Sequence, residues 1–178
     1  MSVLALPVAK AHLNITRTDH DLDLQASVDA AEAVIARLCG PLEPTPTTAR
    51  VDGGPVLLLT VTPAISLTSV TPVDGAALTL ADLYLDGTAG VVSYTLGGTF
   101  GSPAYTVVYS AGRATCPDDL LMAVKELVRH LWQSQRGPTR RPGSPPSGGV
   151  ANTVPGAAHT LPFRVTELIG PHLQPGFA

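Results

Sequence analysis

Leu24, Val28, Ala31, Ile35 and Leu38 recur at steps of four, three, four and three. That spacing lays them on one face of an α-helix, and it predicts a helix over residues 19–39. Thr18 or Asp19 can cap its start, Asp21 and Asp23 suit the positive end of the helix dipole, and Gly40-Pro41 stops it. Alanines at 26, 30, 31, 33 and 36 let another element approach closely. A second stripe, Leu120, Val124, Leu127, Val128 and Leu131, predicts a helix over 117–135. Pro117 fits its first turn, Asp118-Asp119 suit that end of the dipole, Arg129 and His130 suit the other, and Gly137-Pro138 ends it. A shorter helix over 7–15 starts at Pro7 and can be closed by Asn14.

Between the long helices the period changes. Tyr105, Val107 and Tyr109 alternate with Thr106, Val108 and Ser110, the two-residue repeat of a strand. Residues 56–59, 65–70, 84–85 and 91–94 are further short strand candidates. Asp74-Gly75 and the stretch Asp86-Gly87-Thr88-Ala89-Gly90 supply turns. The expected fold is therefore α+β and mainly helical: a small helical bundle with a short antiparallel β insertion, 50–110, between the long helices. Residues 1–136 form the expected core. Residues 137–161, rich in Pro, Gly and Ser, are expected to be a flexible loop. Residues 162–178 carry a second apolar cluster, Phe163, Val165, Leu168, Ile169 and Leu173, expected to be a docking segment.

Composition narrows the function. The chain has 178 residues, about one domain's worth. Only 14% of them are charged and the net charge is −3, a poor balance for duplex DNA binding, which depends on neutralising phosphates. Seventeen glycines and seventeen prolines imply much turn and loop. One Trp, four Tyr and three Phe leave the core to aliphatic side chains. Cys39 and Cys116 are too few for a disulfide scaffold or a zinc knuckle; a single bridge and two buried thiols both stay open. The N-terminus lacks the basic start of a signal peptide, and the most apolar stretch, 56–67, is far short of a membrane span. The chain is expected to be soluble, with no membrane partner.

Candidate chemistry is thin. Asp19-His20-Asp21-Leu22-Asp23 has the look of a calcium loop, but Leu24 and Ala30 stand where glycine and glutamate are needed. Gly97-Gly98-Thr99-Phe100-Gly101 matches no phosphate-binding pattern and reads as a connection between strands. His12, His20, His130, His159 and His172 form no metal-ligand spacing, and Cys116 lacks a base that the sequence can place beside it. No nucleophile elbow occurs. The chain is expected not to be an enzyme, with no catalytic residue, metal or cofactor. Arg136, Arg140 and Arg141 are the candidate contacts to DNA phosphates or to an acidic partner, against the plainer reading of a solvated loop. Trp132 either completes the helix core or sits at a subunit contact.

The order of these pieces resembles the head–tail connector (adaptor, or head completion) proteins of tailed bacteriophages. Lys10-Ala11-His12-Leu13-Asn14-Ile15 followed by Asp19–Asp23 and an Ala-rich helix is similar to their N-terminal signature. Pro63-Ala64-Ile65 through Val70, Val73-Asp74-Gly75, Tyr84-Leu85-Asp86 and Gly90-Val91-Val92 resemble their strand–turn–strand insert. Val108-Tyr109-Ser110-Ala111-Gly112, then Pro117-Asp118-Asp119-Leu120 and the helix to Trp132, resemble their last long helix and its Tyr-x-x-Gly lead-in. The likeness covers residues 4–136. The loop 137–161 is longer than in the short members.

The resemblance implies a structural virion protein made in the bacterial host cytoplasm. It implies a homo-oligomeric ring, commonly of twelve copies, beneath the portal protein. Such a ring extends the channel through which DNA passes without specific binding, and it docks a stopper or tail-terminator protein. The alternatives are another neck protein (a stopper or tail-completion protein) and a small nucleic-acid-binding module. The apolar segment Phe163–Leu173 is expected to reach the portal or a neighbour, and deletion of 160–178 to weaken attachment while sparing the fold.

Overall fold

The computed structural model describes residues 2–136 and 161–174. Their elements are α1 (Leu6–Leu13), α2 (Asp21–Cys39), β1 (Thr45–Asp52), β2 (Leu57–Leu58), β3 (Ala64–Pro72), β4 (Leu83–Asp86), β5 (Val91–Tyr94), β6 (Ala104–Ala111), α3 (Asp118–Arg136) and α4 (Phe163–Ile169). They fall into two compact units. Among the described residues, a helical unit is built from 2–35, 117–136 and 161–171, and a β unit from 36–116 with 172–174. The β unit is thus inserted into the chain of the helical one. The loop expected at 137–161 lies, but for Leu161, outside the described residues.

Most of each predicted stripe is buried: Leu24, Val28, Ala31 and Ile35 on α2, and Leu120, Val124, Leu127 and Val128 on α3, while Leu38 and Leu131 at the stripe ends are half-buried. Trp132 is buried as well, and its ring meets that of His20 edge-on at 6.2 Å. Pro7 opens α1, where its missing N–H costs nothing. Asn14 closes it in the left-handed conformation, φ 54°. The Ile15 amide donates back to the Lys10 carbonyl at 2.9 Å, a Schellman-type end that asparagine tolerates. Lys10 pairs with Asp21 at 2.6 Å, and Glu32 accepts from the Leu4 amide and the Ser2 hydroxyl, each at 2.8 Å. α4 and α1 both pack on α3.

The expectation of a mainly helical bundle with a minor insertion is corrected here. Residues 45–111 form two antiparallel three-stranded sheets, ordered β1-β6-β3 and β2-β5-β4, with a hydrophobic core of their own. The fold is α+β, its β part a unit in its own right. Thr- and Pro-rich segments hide this content from a hydrophobicity reading. β1, absent from the predicted strands, buries only Ala49 and Val51 and carries Pro46 on an edge strand, where its missing donor is harmless. In β3 the register slips at Ala64/Ser66 and at Leu67/Ser69. These bulges turn Ile65 and Thr68 outward and break the two-residue period.

The best-read strand is β6, which buries Tyr105, Val107, Tyr109 and Ala111 at alternate positions, with Ala104 buried at its start. The Tyr109 hydroxyl accepts from the Val61 amide at 3.0 Å and donates to the Val61 carbonyl at 3.2 Å. Phe100 stacks on Tyr94 at 4.6 Å and meets Tyr105 edge-on at 5.4 Å. After β6 comes Gly112, at φ 110°, where a Cβ would overlap the Glu43 carbonyl. Arg113 then donates to the carbonyls of Cys39 (3.0 Å) and Pro41 (3.3 Å). That places a cation and two donors at the negative end of α2. Gln174 closes the same end, its amide donating to the Leu38 carbonyl at 3.0 Å and its side chain to the Thr62 carbonyl.

Candidate interaction surfaces

The acidic run at 19–23 is tied up locally. Asp21 is held by Lys10 and Asp23 lies 3.8 Å from His20, all at the start of α2. No group of three or more His, Cys, Asp or Glu that could hold a metal occurs among the described residues. Cys39 is a buried thiol at the end of α2 and Cys116 a half-buried one before α3. The glycine-rich run 97–101 connects β5 to β6 and delivers Phe100 to the core. No helix among the described residues is long and apolar enough to cross a membrane.

The C-terminal apolar cluster divides into two sets. Val165 and Ile169, one helical turn apart, are buried in the helical unit, and Leu168 is half-buried beside them. Phe163 is 78% exposed and Leu173 also lies on the surface. Only Phe163 and Leu173 are open to a partner, while Val165 and Ile169 are engaged within the chain. Deleting 160–178 would remove these two core side chains along with any docking surface. Arg136 ends α3, and Arg140 and Arg141 lie outside the described residues.

The β unit carries surface features that the sequence did not announce. Leu96 is 98% exposed on the turn after β5. It borders a groove of about 420 Å3 lined by Ala81, Asp82, Tyr94, Thr95, Leu96 and Gly97. Two of its lining residues are joined by backbone pairing, the Thr95 amide donating to the Asp82 carbonyl at 2.9 Å. The register also puts Leu58 opposite Val91 and Tyr84 opposite Ser93, on the face of the second sheet turned away from buried Leu57 and Val92. Leu58 and Tyr84 are exposed there. The charge pattern is one-sided: from residue 51 to 112 the chain has no lysine or arginine, only Asp52, Asp74, Asp82 and Asp86. The one available signal was a leucine set between Thr95 and Gly97-Gly98, an apolar side chain in a turn sequence.

No protein-family profile matches this chain, and no curated protein matches it. A solved structure does. A chain from the "neck of empty GTA particle computed with C6 symmetry" matches with a TM-score of 0.66, over 99% of this chain and 92% of that one, at 18% identity. The likeness is one of fold, and it extends over nearly the whole length of both chains.

Proposed function

We propose that this chain is a structural protein of the neck of a tailed phage or phage-like particle. Within the neck we assign it the adaptor position: a ring of copies beneath the portal, around the DNA channel, offering a docking surface to a stopper or tail-terminator protein. The observation that carries the reading is the fold shared over nearly the whole length with a chain from a particle neck. The resemblance of residues 4–136 to the connector proteins supports it independently. In this reading the chain performs no covalent chemistry. The paucity of charge, 14% of residues, lowers the cost of covering surface between neighbours, because buried ionic groups must be paired to be tolerated. A second reading, a stopper or tail-completion protein, draws on the two-sheet β unit.

The test is to mix the full chain with the portal protein of its own particle and, separately, with the tail tube. Mass is followed by light scattering and shape by negative-stain microscopy. Portal-dependent capture of multiple copies in a ring is the expected result. Capture by the tail alone moves the chain to the second reading. Absence of the chain from purified particles, read by mass spectrometry, overturns both.

A further inference from the structure

We propose that the groove of Ala81, Asp82, Tyr94 and Leu96 on the β unit receives Phe163 and Arg164 of a second copy of this chain. The inference rests on the ring reading above and deepens it by naming the two surfaces that meet.

The two surfaces are complementary in shape and charge. The groove is lined mainly by apolar and aromatic groups, is about 420 Å3 in volume, and contains one ionic side chain, the exposed carboxylate of Asp82. It belongs to a stretch of chain, 51–112, without a single cation, so its own unit has no sequence-near partner for that carboxylate. On the helical unit, α4 begins with the exposed pair Phe163-Arg164. This is an aromatic anchor beside a guanidinium, both among the residue types enriched where protein surfaces meet. A phenyl ring enters a groove of this size with room to spare beside it, and a neighbouring arginine then faces the carboxylate. Phe163 is 78% and Leu96 98% exposed, which leaves both available for this contact. Using different surfaces on the two partners, it is a head-to-tail contact, the kind that generates a ring when the rotation closes.

Disulfide trapping on the full chain tests this. Leu96→Cys and Phe163→Cys chains are mixed and oxidised, with the unsubstituted chain as control for Cys39 and Cys116. The expected product is the mixed dimer, in several-fold excess over either homodimer. A mixed dimer at or below twice the yield of either homodimer, the ratio that random pairing gives, overturns the contact. Sedimentation velocity at low and high salt supplies the charge arm. Arg164→Glu and Asp82→Arg are each expected to weaken self-association about tenfold, and combining the two in one chain to restore it. Failure of the combination to restore overturns the assignment of that pair. Incorporation into particles is scored separately by mass spectrometry. Incorporated chains without the mixed dimer refute the contact and leave the neck reading standing. A mixed dimer from a chain missing from particles keeps the contact and refutes the neck reading.

Discussion

Tyr109 and Gly112 lie in a segment that carries the resemblance to the connector proteins, and each has a local physical reason to be there. The Tyr109 hydroxyl satisfies both backbone groups of Val61 from within the core. Tyr109→Phe leaves them without that partner, and a loss of about 1–3 kcal/mol is expected, read as a lower urea midpoint with an unchanged slope. Gly112→Ala is expected to cost at least about 2 kcal/mol, since a positive φ and an overlap with the Glu43 carbonyl act together. Thermal melting of the purified variant measures it. Both residues were visible in the sequence. Their partners, Val61 and Glu43, stand 48 and 69 positions away, and nothing in the local pattern points to them.

At the scale of elements, α1, α2 and α3 were legible, α4 was not read as a helix, and the sheets were legible only in part. Helical faces repeat over five turns of α2 and α3, so a missing position does not erase the signal. A two-residue strand such as β2, or one with two bulges such as β3, has too few alternations to show a period. α4 is the instructive case. Its apolar residues read as one docking cluster, but the four-residue step from Val165 to Ile169 separates an inward stripe from outward Phe163. Ile169→Ala is expected to destabilise the helical unit by about 2–5 kcal/mol. Phe163→Ser is expected to stay within about 0.5 kcal/mol while reducing association. Chemical denaturation and sedimentation on the same two variants separate the structural role from the interfacial one.

For the whole molecule, the probes divide by unit. The single tryptophan, Trp132, reports the helical unit, while Tyr84, Tyr94, Tyr105 and Tyr109 all report the β unit. Two compact units predict two transitions. Tyr109→Phe is expected to shift the tyrosine near-ultraviolet signal to lower urea and to leave the Trp132 fluorescence midpoint within experimental error. Coincident shifts would mean that α2, which runs through both units, fuses them into one cooperative block. The insertion itself was half legible. The change of period at 50 and 110 marked where it lies, but its rank as a unit depended on core contacts between distant strands. The anchoring of residues 161–174 has a practical side. Val165 and Ile169 hold α4 to one unit and Gln174 ties the chain to the other, so this short piece is gripped at both ends without needing its covalent link to α3. A protein severed by an engineered protease site between 137 and 160 should therefore migrate as a single species. A synthetic peptide of residues 161–178 should also complement a chain ending at 136, which would make the C-terminal piece an exchangeable handle for labels.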